Sequence, residues 1–349
     1  MFNIDNIIRP NVRDLVPYSS ARNEYTGKNA IFLDANENPF NAPLNRYPDP
    51  LQQDLKEKIK GIKNVPVEKI FLGNGSDEPI DLLIRAFCEP GVDNVISISP
   101  SYGMYEVCAD INNVEFRKVL LTPDFQLDVG PLLNAADKNS KILFICSPNN
   151  PTSNCLKRED VIKVIEGFNG VVVLDEAYID FAPCTGMLDI LDKYKNLIIL
   201  QTFSKAWGLA GIRLGMCFAD PQIIGYLNKI KYPYNINILT QEKALELIEN
   251  YEKEKDGWVK IIVEWRERLI KDIGEKKFTI QVYPSDANFF MAKIDDPKRL
   301  MTYLRDQGII IRDRSKVALC EGCLRFTIGT PEENTLMLDK LVEYERLNY

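Results

Sequence analysis

The chain has 349 residues, a formal net charge of −7 and no histidine. The lack of histidine excludes Ser-His-Asp and Cys-His catalysis, His-ligated zinc and a haem held by a proximal His. Any proton transfer near neutral pH must therefore use a lysine, tyrosine, cysteine, carboxylate or cofactor whose pKa is shifted. The acidic balance argues against a nucleic-acid partner, because such partners need a basic face.

Length and cysteine usage indicate a cytoplasmic protein of about two domains, at roughly 100–200 residues per domain. The N-terminus lacks the basic and apolar regions of a signal peptide, and no apolar run approaches the ~18 residues of a membrane span. The eight cysteines are scattered through apolar segments, which predicts buried free thiols. Cys320 and Cys323 form a CxxC pair without a second pair or a histidine, so a structural role is favoured and no metal site is expected.

Residues 1–45 are irregular and rich in Asn and Pro, which predicts an extended N-terminal arm. Between about residue 68 and residue 220, seven short apolar runs alternate with helical patterns such as Glu78–Cys88 and Arg158–Gly167. Continuous apolar runs spaced by helices predict a mostly parallel, seven-stranded sheet with helices on both faces. The runs are Lys69–Leu72, Val95–Ser99, Val114–Leu120, Lys141–Cys146, Val171–Leu174, Leu197–Gln201 and Leu214–Phe218.

The pattern changes after Pro221. Thr240–Ile273 predicts a long helix, and its charged stretch Glu252–Asp256 is expected to face solvent. Strand and helix patterns then mix, which predicts a smaller α+β domain. They are the strands Phe278–Tyr283, Ala287–Ile294, Ile309–Arg312 and Cys323–Ile328, and the helices Pro297–Gln307 and from Pro331 onward. The predicted division is an arm of residues 1–45 packing with the small domain, a large domain of 46–238 and a small domain of 239–349.

Two predicted strands end in residues suited to chemistry, at the edge of the sheet where ligands bind in open parallel folds. Lys205 closely follows a buried strand, where burial lowers a lysine pKa and permits a Schiff base. Asp175 ends another strand and Tyr178 follows it, a pair suited to a basic ring nitrogen with an adjacent oxygen. Each has a structural alternative, because Lys205 could extend to solvent from a helix start and Asp175 could cap a helix.

Three further strand ends carry weaker motifs. The turn Gly75-Ser76-Asp77-Glu78 leads into a helix and suits phosphate, although an ordinary N-cap turn has the same sequence. Asn150 lies in the rigid turn Ser147–Thr152 and could contact a ligand. Tyr102 could stack on a flat cofactor or pack in the core.

In their order along the chain, these motifs resemble those of the pyridoxal phosphate (PLP)-dependent aminotransferases of fold type I. Within that group they most resemble the histidinol-phosphate aminotransferases, and the resemblance spans essentially the whole chain. Supporting segments are Leu15–Arg22, Asp34–Pro39, Asn45–Asp49, Tyr102–Tyr105, Ile311–Asp313 and Cys323–Gly329. The resemblance implies an α/β transferase of fold type I that uses PLP.

The resemblance also implies a role for each residue. Lys205 would form the Schiff base with PLP and then move the proton, and Asp175 would pair with the pyridinium nitrogen. Tyr178 and Asn150 would hydrogen-bond the ring oxygen. The remaining cofactor-binding residues would be Ser76, Asp77, Tyr102, Thr202, Ser204, Arg213 and, from a neighbouring subunit, Tyr47, so a homodimer is implied.

The implied reaction is reversible transamination between L-histidinol phosphate and 2-oxoglutarate, which gives imidazole acetol phosphate and L-glutamate in histidine biosynthesis. Arg325 would bind the carboxylate of glutamate or the phosphate of histidinol phosphate, since a guanidinium suits both. Arg312, Tyr18 and Asn150 would be additional substrate ligands. For Arg312 the alternative is a surface ion pair within Arg312-Asp313-Arg314.

Other functions remain open on the same scaffold, namely an aromatic aminotransferase or a threonine-phosphate decarboxylase. A PLP-sensing transcription regulator would need a DNA-binding extension of roughly 60 residues, for which we expect no room before Tyr18. One position departs from the family pattern, because Ser153 stands where Gly often follows Asn-Pro-Thr, and we expect it in a turn with negative φ. The residues that recognise the imidazole ring are not identified.

Overall fold

The computed structural model describes residues 3–17 and 31–349, and its larger sheet has seven strands. They are β1 Ile70–Asn74, β2 Asn94–Ser99, β3 Glu115–Leu120, β4 Ser140–Cys146, β5 Val171–Asp175, β6 Leu197–Thr202 and β7 Leu214–Phe218. Their order is β1-β7-β6-β5-β4-β2-β3, and only β7 is antiparallel to its neighbours. The predicted mostly parallel sheet and all seven of its strands are confirmed.

Both faces of this sheet are buried at its central strands, whereas the edge strand β3 is partly exposed. Along β5, Val172 and Leu174 belong to one apolar cluster, and Val171 and Val173 belong to another. Because side chains alternate along a strand, these are the two faces of the sheet, each covered by helices. The helices within the described residues are α1 Pro10–Arg13, α2 Gln53–Lys63, α3 Asp77–Phe87, α4 Met104–Ile111, α5 Val129–Asn134, α6 Arg158–Gly167, α7 Pro221–Ile230, α8 Ile238–Gly274, α9 Pro297–Asp306 and α10 Pro331–Asn348.

A second, antiparallel sheet forms the smaller α+β unit that the sequence predicts. It contains β8 Thr279–Val282, β9 Phe289–Ile294, β10 Arg312–Asp313 and β11 Cys323–Thr327, in the order β10-β11-β9-β8. Helix α8 has 37 residues and connects the two units over about 55 Å at 1.5 Å per residue. Its residue Ile248 packs in the core of the large unit, and Ile273 packs in the core of the small one. Among the described helices, none combines the length and apolarity needed to cross a membrane.

The first part of the N-terminal arm differs from the expected packing. Ile4, Ile8 and Val12 are buried in the large-unit cluster that also contains residues of α3 and α7. The Arg9 amide donates to the carbonyl of Ala86 in α3 at 3.0 Å. These three apolar side chains, from a short 3-10 turn, the following bend and α1, cover α3 and α7 rather than the smaller sheet. Tyr18, predicted as a substrate ligand, lies outside the described residues.

Candidate active site

A cavity of about 290 Å³ opens where β1, β5 and β6 end. The predicted cofactor-binding residues that line it are Ser76, Asp77, Tyr102, Asn150, Asp175, Tyr178, Thr202, Ser204, Lys205 and Arg213. The fold therefore brings together every predicted cofactor-binding residue except Tyr47.

Lys205 is held at this cavity by the turn that follows β6. The Thr202 hydroxyl accepts the Ser204 amide at 3.1 Å and donates to the carbonyl of Leu214 at 3.3 Å, which fixes the turn. The Lys205 Nζ lies 5.5 Å from the centroid of the Tyr178 ring. Within the described chain Lys205 has no ion pair or side-chain hydrogen bond. Burial, and secondly the charge of Arg325, lower the pKa of Lys205 and favour its nucleophilic neutral form.

Asp175 ends β5 and is held by a residue to which the sequence analysis assigned no role. The hydroxyl of Tyr105 donates to Asp175 Oδ2 at 2.7 Å, and the Ala177 amide donates to Oδ1 at 3.0 Å. Tyr105 is fully buried and its ring stacks on Phe144. Burial raises the pKa of Asp175, which disfavours its ionised form. A cation placed beside the carboxylate would offset this effect, because it stabilises the ionised form. Tyr105 follows Tyr102 by three residues, a spacing that could have suggested a second aromatic residue at the site.

The turn between β1 and α3 forms a cradle for an anion. Gly75 has φ +70°, a left-handed conformation that glycine adopts without strain. The amides of Ser76 and Asp77 stand at the start of α3, and neither donates to an acceptor in the described part of the chain. The Ser204 hydroxyl also has no hydrogen-bond partner among the described residues. The Arg213 guanidinium stands beside the cradle, with Nη2 3.7 Å from Asp77 Oδ2. Free N–H groups at a helix start suit a phosphate.

Gly75 and Gly215 lie so close to neighbouring atoms of the cradle that neither position has room for a Cβ. A Cβ on Gly75 would lie 2.4 Å from Arg213 Nη2, and one on Gly215 would lie 2.2 Å from the Gly75 carbonyl carbon. The Gly75 amide also donates to the Arg213 carbonyl at 2.9 Å, which fixes the turn against β7. A side chain at either position would therefore displace the cradle or fill it.

These groups fit PLP, the cofactor implied by the resemblance. The cradle offers unused donors for its phosphate, Lys205 offers an unpaired amine, and Asp175 offers a buried carboxylate for its ring nitrogen. Tyr102, whose hydroxyl donates to Asp77 at 3.1 Å, presents an aromatic ring at the same cavity. The cradle, Lys205 and Asp175 therefore match the anionic, carbonyl and cationic parts of one ligand, in that order.

A second cavity, of about 780 Å³, adjoins the first and shares Tyr102, Asn150, Tyr178 and Lys205 with it. It is also lined by the basic residues Arg312, Arg314, Lys316 and Arg325. Sequence reasoning assigned no site role to Arg314 or Lys316.

Arg325 lines the second cavity and contacts Asn150, which lines both cavities. Its Nη1 donates to Asn150 Oδ1 at 2.6 Å, and its guanidinium carbon lies 5.0 Å from the centroid of the Phe289 ring. Arg312 is paired with Arg325 across β10 and β11, so both side chains project from the same face. The alternative of a surface ion pair for Arg312 is not realised, because Arg312 forms none with any described residue.

Tyr47 is not among the residues that line either cavity of its own chain. Its ring stacks on Tyr234 with centroids 4.5 Å apart, and 49% of the residue is exposed. The sequence analysis expects it to serve a neighbouring subunit.

Two details correct the sequence analysis. Ser153 has φ +66°, not the negative φ expected, and its buried hydroxyl donates to the Thr152 carbonyl at 2.6 Å. Cys155 and Cys184 are disulfide-bonded, not free, because they lie in loops that follow the neighbouring strands β4 and β5. The other six cysteines, Cys320 and Cys323 among them, are buried free thiols, as the sequence predicts.

Comparison with known proteins agrees with this geometry. The model of the family described as aminotransferase class I and II matches residues 21–341. A histidinol-phosphate aminotransferase of Bacteroides fragilis is 56% identical over 346 residues, covering 99% of this chain and 100% of that protein. One of Parabacteroides distasonis is 55% identical over 98% of this chain and 99% of that protein.

Among solved structures, the histidinol-phosphate aminotransferase of Clostridium acetobutylicum is similar with a TM-score of 0.78 and 26% identity. The match covers 87% of this chain and 92% of that one. The chain belongs to the class I and II aminotransferase family.

Proposed function

We propose that this enzyme uses PLP to transfer the amino group of L-histidinol phosphate to 2-oxoglutarate, giving imidazole acetol phosphate and L-glutamate in histidine biosynthesis. One observation carries the proposal. The unpaired amine of Lys205 stands between an anion cradle and a second cavity that contains Arg312 and Arg325. The names of relatives more than half identical to this chain support the same substrate.

When bound, PLP supplies an electron sink that stabilises negative charge at the α-carbon of the amino donor. The amides of Ser76 and Asp77, together with Ser204 and Arg213, would hold its phosphate. Asp175 would keep the ring nitrogen protonated, and its orientation is set by the two hydrogen bonds it accepts. Tyr102 would cover one face of the ring, and Thr202 would support the turn.

Lys205 would carry out the proton transfer. Its lowered pKa leaves more of the amine neutral near pH 7 than an exposed lysine would have. Nζ would take the proton released at the α-carbon of the donor and return it, in a 1,3-proton shift, to the carbon that was the aldehyde carbon of the cofactor. Tyr178, whose ring faces Nζ, would donate a hydrogen bond to the ring oxygen together with Asn150. No imidazole side chain is needed.

Arg325 and Arg312 would bind the anionic end of each substrate. Histidinol phosphate has no α-carboxylate, so its phosphate would occupy the place that the carboxylate of glutamate takes in the other half-reaction. Asn150 contacts the Arg325 guanidinium and lines both cavities, so it would contribute to substrate binding as well as to cofactor binding. Tyr18 would be a further phosphate ligand.

The proposal includes a cytoplasmic homodimer, with domains of residues 46–238 and 239–349. Tyr47 is exposed and lines neither cavity of its own chain, which supports a role in the site of a second subunit. Exposed apolar side chains nearby in sequence, Phe40 and Leu44, support the same interface.

A steady-state assay of glutamate formation from histidinol phosphate and 2-oxoglutarate tests the function. The wild-type holoenzyme should form glutamate, and Lys205→Ala should reduce turnover at least about 100-fold because it removes the proton carrier. A folded wild-type holoenzyme that forms no glutamate from histidinol phosphate would contradict the proposal.

A further inference from the structure

Four basic side chains of the smaller unit line the second cavity, namely Arg312, Arg314, Lys316 and Arg325. In the described part of the chain none of them forms an ion pair, although the protein as a whole has a net charge of −7. Lys118, a further cation of this cavity, is neutralised by Glu106 at 2.6 Å. The cavity therefore holds an excess of positive charge without a protein counter-ion, and an anionic ligand must supply one.

Arg314 belongs to the same face as the two arginines already assigned to the substrate. Arg312 opposes Arg325 in the antiparallel pair of β10 and β11, and the ladder continues through the Arg314 amide, which donates to the Cys323 carbonyl at 2.9 Å. Because side chains alternate along a strand, Arg314 projects on the side of Arg312, and Asp313 projects away. Three guanidinium groups thus share one face.

Arg314, directly after β10, is also the most buried of the three basic residues between positions 312 and 316. It is half-buried whereas Arg312 and Lys316 are exposed, and its Nε is fully buried without a hydrogen-bond partner. Burial, and secondly the charge of Arg312, lower the pKa of Arg314. A buried donor left unpaired beside like charges is costly, and such a cost is relieved by a bound anion.

We propose that Arg314 is a specificity-determining residue that binds the phosphate of the substrate and favours a doubly charged phosphate over a carboxylate. This rests on the proposed function, since the phosphate is that of histidinol phosphate. Arg325 already gives one donor to Asn150, so a third guanidinium supplies the extra hydrogen bonds and charge that a phosphate dianion needs and a carboxylate does not.

The test compares two amino donors that differ only in the phosphate, histidinol phosphate and histidinol. Single-turnover conversion of the holoenzyme to its pyridoxamine form is followed by absorbance with each donor. Arg314→Gln should lower kcat/KM for histidinol phosphate about 10- to 100-fold, the factor expected for a lost charge-assisted hydrogen bond. The rate with histidinol should change by less than about twofold, because that donor has no phosphate to bind.

Arg314→Lys is the second variant, since it keeps the charge and is expected to fold if the glutamine variant does not. It should lose a smaller factor with histidinol phosphate, because an ammonium lacks the planar fork of donors. Arg305→Gln is the matched control, because it removes one exposed positive charge on α9, away from the cavity. This control should leave both donors unaffected.

An equal loss with both donors would show that Arg314 only supports the fold, and would overturn the inference. No loss with histidinol phosphate would overturn it as well. A wild-type enzyme that does not convert histidinol phosphate would instead remove the proposed function, and this role of Arg314 with it.

Discussion

At the scale of single residues, the site depends on charged groups kept in place by buried partners. Asp175 is buried, and its carboxylate accepts hydrogen bonds from the Tyr105 hydroxyl and the Ala177 amide. A buried carboxylate without such partners becomes protonated and can no longer pair with a cation. Tyr105 therefore acts on the cofactor through Asp175, and we class it as a positioning residue.

Tyr105→Phe should weaken PLP binding about tenfold, because it removes one hydrogen bond to a charged group. An equilibrium titration of the cofactor-free protein with PLP, followed by absorbance, gives the dissociation constant. The matched control is Tyr344→Phe, since the Tyr344 hydroxyl is buried and has no hydrogen-bond partner among the described residues. Unchanged PLP affinity in Tyr105→Phe would contradict the positioning role.

Glu176 predicts a pH dependence of stability. Burial raises the pKa of Glu176 from an ordinary value of 4.5 to about 7. Between these values the folded state binds more protons than the unfolded state, so stability falls as pH rises through this window. We expect the melting temperature of the wild-type protein to fall between about pH 5 and about pH 8.

Glu176→Gln should make that fall smaller, since a glutamine does not ionise. The Gln201 amide donates to Glu176 at 2.9 Å while its own oxygen has no partner, so a flip of Gln201 would satisfy the new side chain. Melting curves of both proteins across this pH range test the expectation. Parallel curves for the two proteins would show that Glu176 is not the titrating group.

The proposed catalytic residues could be picked out from the sequence, and several of the residues that hold them could not. Lys205 and Asp175 stand out because each follows a continuous apolar strand, where a charge is costly unless it is used. Tyr105 has the sequence pattern of a core residue, and only the folded structure, in which its ring stacks on Phe144 of β4, brings its hydroxyl to Asp175. The positive φ of Ser153 and the Cys155–Cys184 bond depend on loop paths that no periodicity encodes.

At the scale of elements, the anion cradle is built by the contact of β1 with β7. Gly215→Ala would place a Cβ 2.2 Å from the Gly75 carbonyl carbon. We expect it to destabilise the protein by about 1–3 kcal/mol and to weaken PLP binding. Urea unfolding and the PLP titration measure the two effects.

Gly225→Ala in α7 is the matched control, since a Cβ there meets nothing within 4 Å. It should stabilise the protein by about 0.5–1 kcal/mol, because alanine is the better helix former. If Gly215→Ala retained wild-type PLP affinity and stability, the close approach at Gly215 would not be essential.

The elements themselves were largely predictable. The central strands of the large sheet, such as β4, β5 and β6, are short runs rich in Val, Ile and Leu that are buried on both faces, and this pattern leaves few alternatives. The packing of the arm was not predictable, because the spacing of Ile4, Ile8 and Val12 gives an apolar face without saying which surface it covers. Strand β10 is also shorter than predicted, Arg312–Asp313 instead of Ile309–Arg312.

At the scale of the whole molecule, the proposed homodimer makes a prediction about mixed subunits. Lys205→Ala should inactivate the site of the subunit that carries it. Tyr47→Ala should weaken PLP binding in the site of the other subunit. In a mixed dimer, the site that retains Lys205 would receive Tyr47 from the Lys205→Ala subunit and would be intact.

Mixing the two variants, with subunit exchange, should therefore restore activity at a PLP concentration too low for Tyr47→Ala alone. Each variant exchanged with itself is the control. If mixing restored no activity although mixed dimers had formed, Tyr47 would act in its own subunit.

The central claim is that the two adjoining cavities convert histidinol phosphate with bound PLP. The most direct measurement is the absorbance change of the pre-formed PLP enzyme after mixing with histidinol phosphate, phenylalanine or threonine phosphate in single-turnover experiments. The account predicts conversion to the pyridoxamine form fastest and complete with histidinol phosphate, reversal by 2-oxoglutarate, and no carbon dioxide from threonine phosphate. An unchanged spectrum with histidinol phosphate, alongside conversion by phenylalanine or decarboxylation of threonine phosphate, would contradict it.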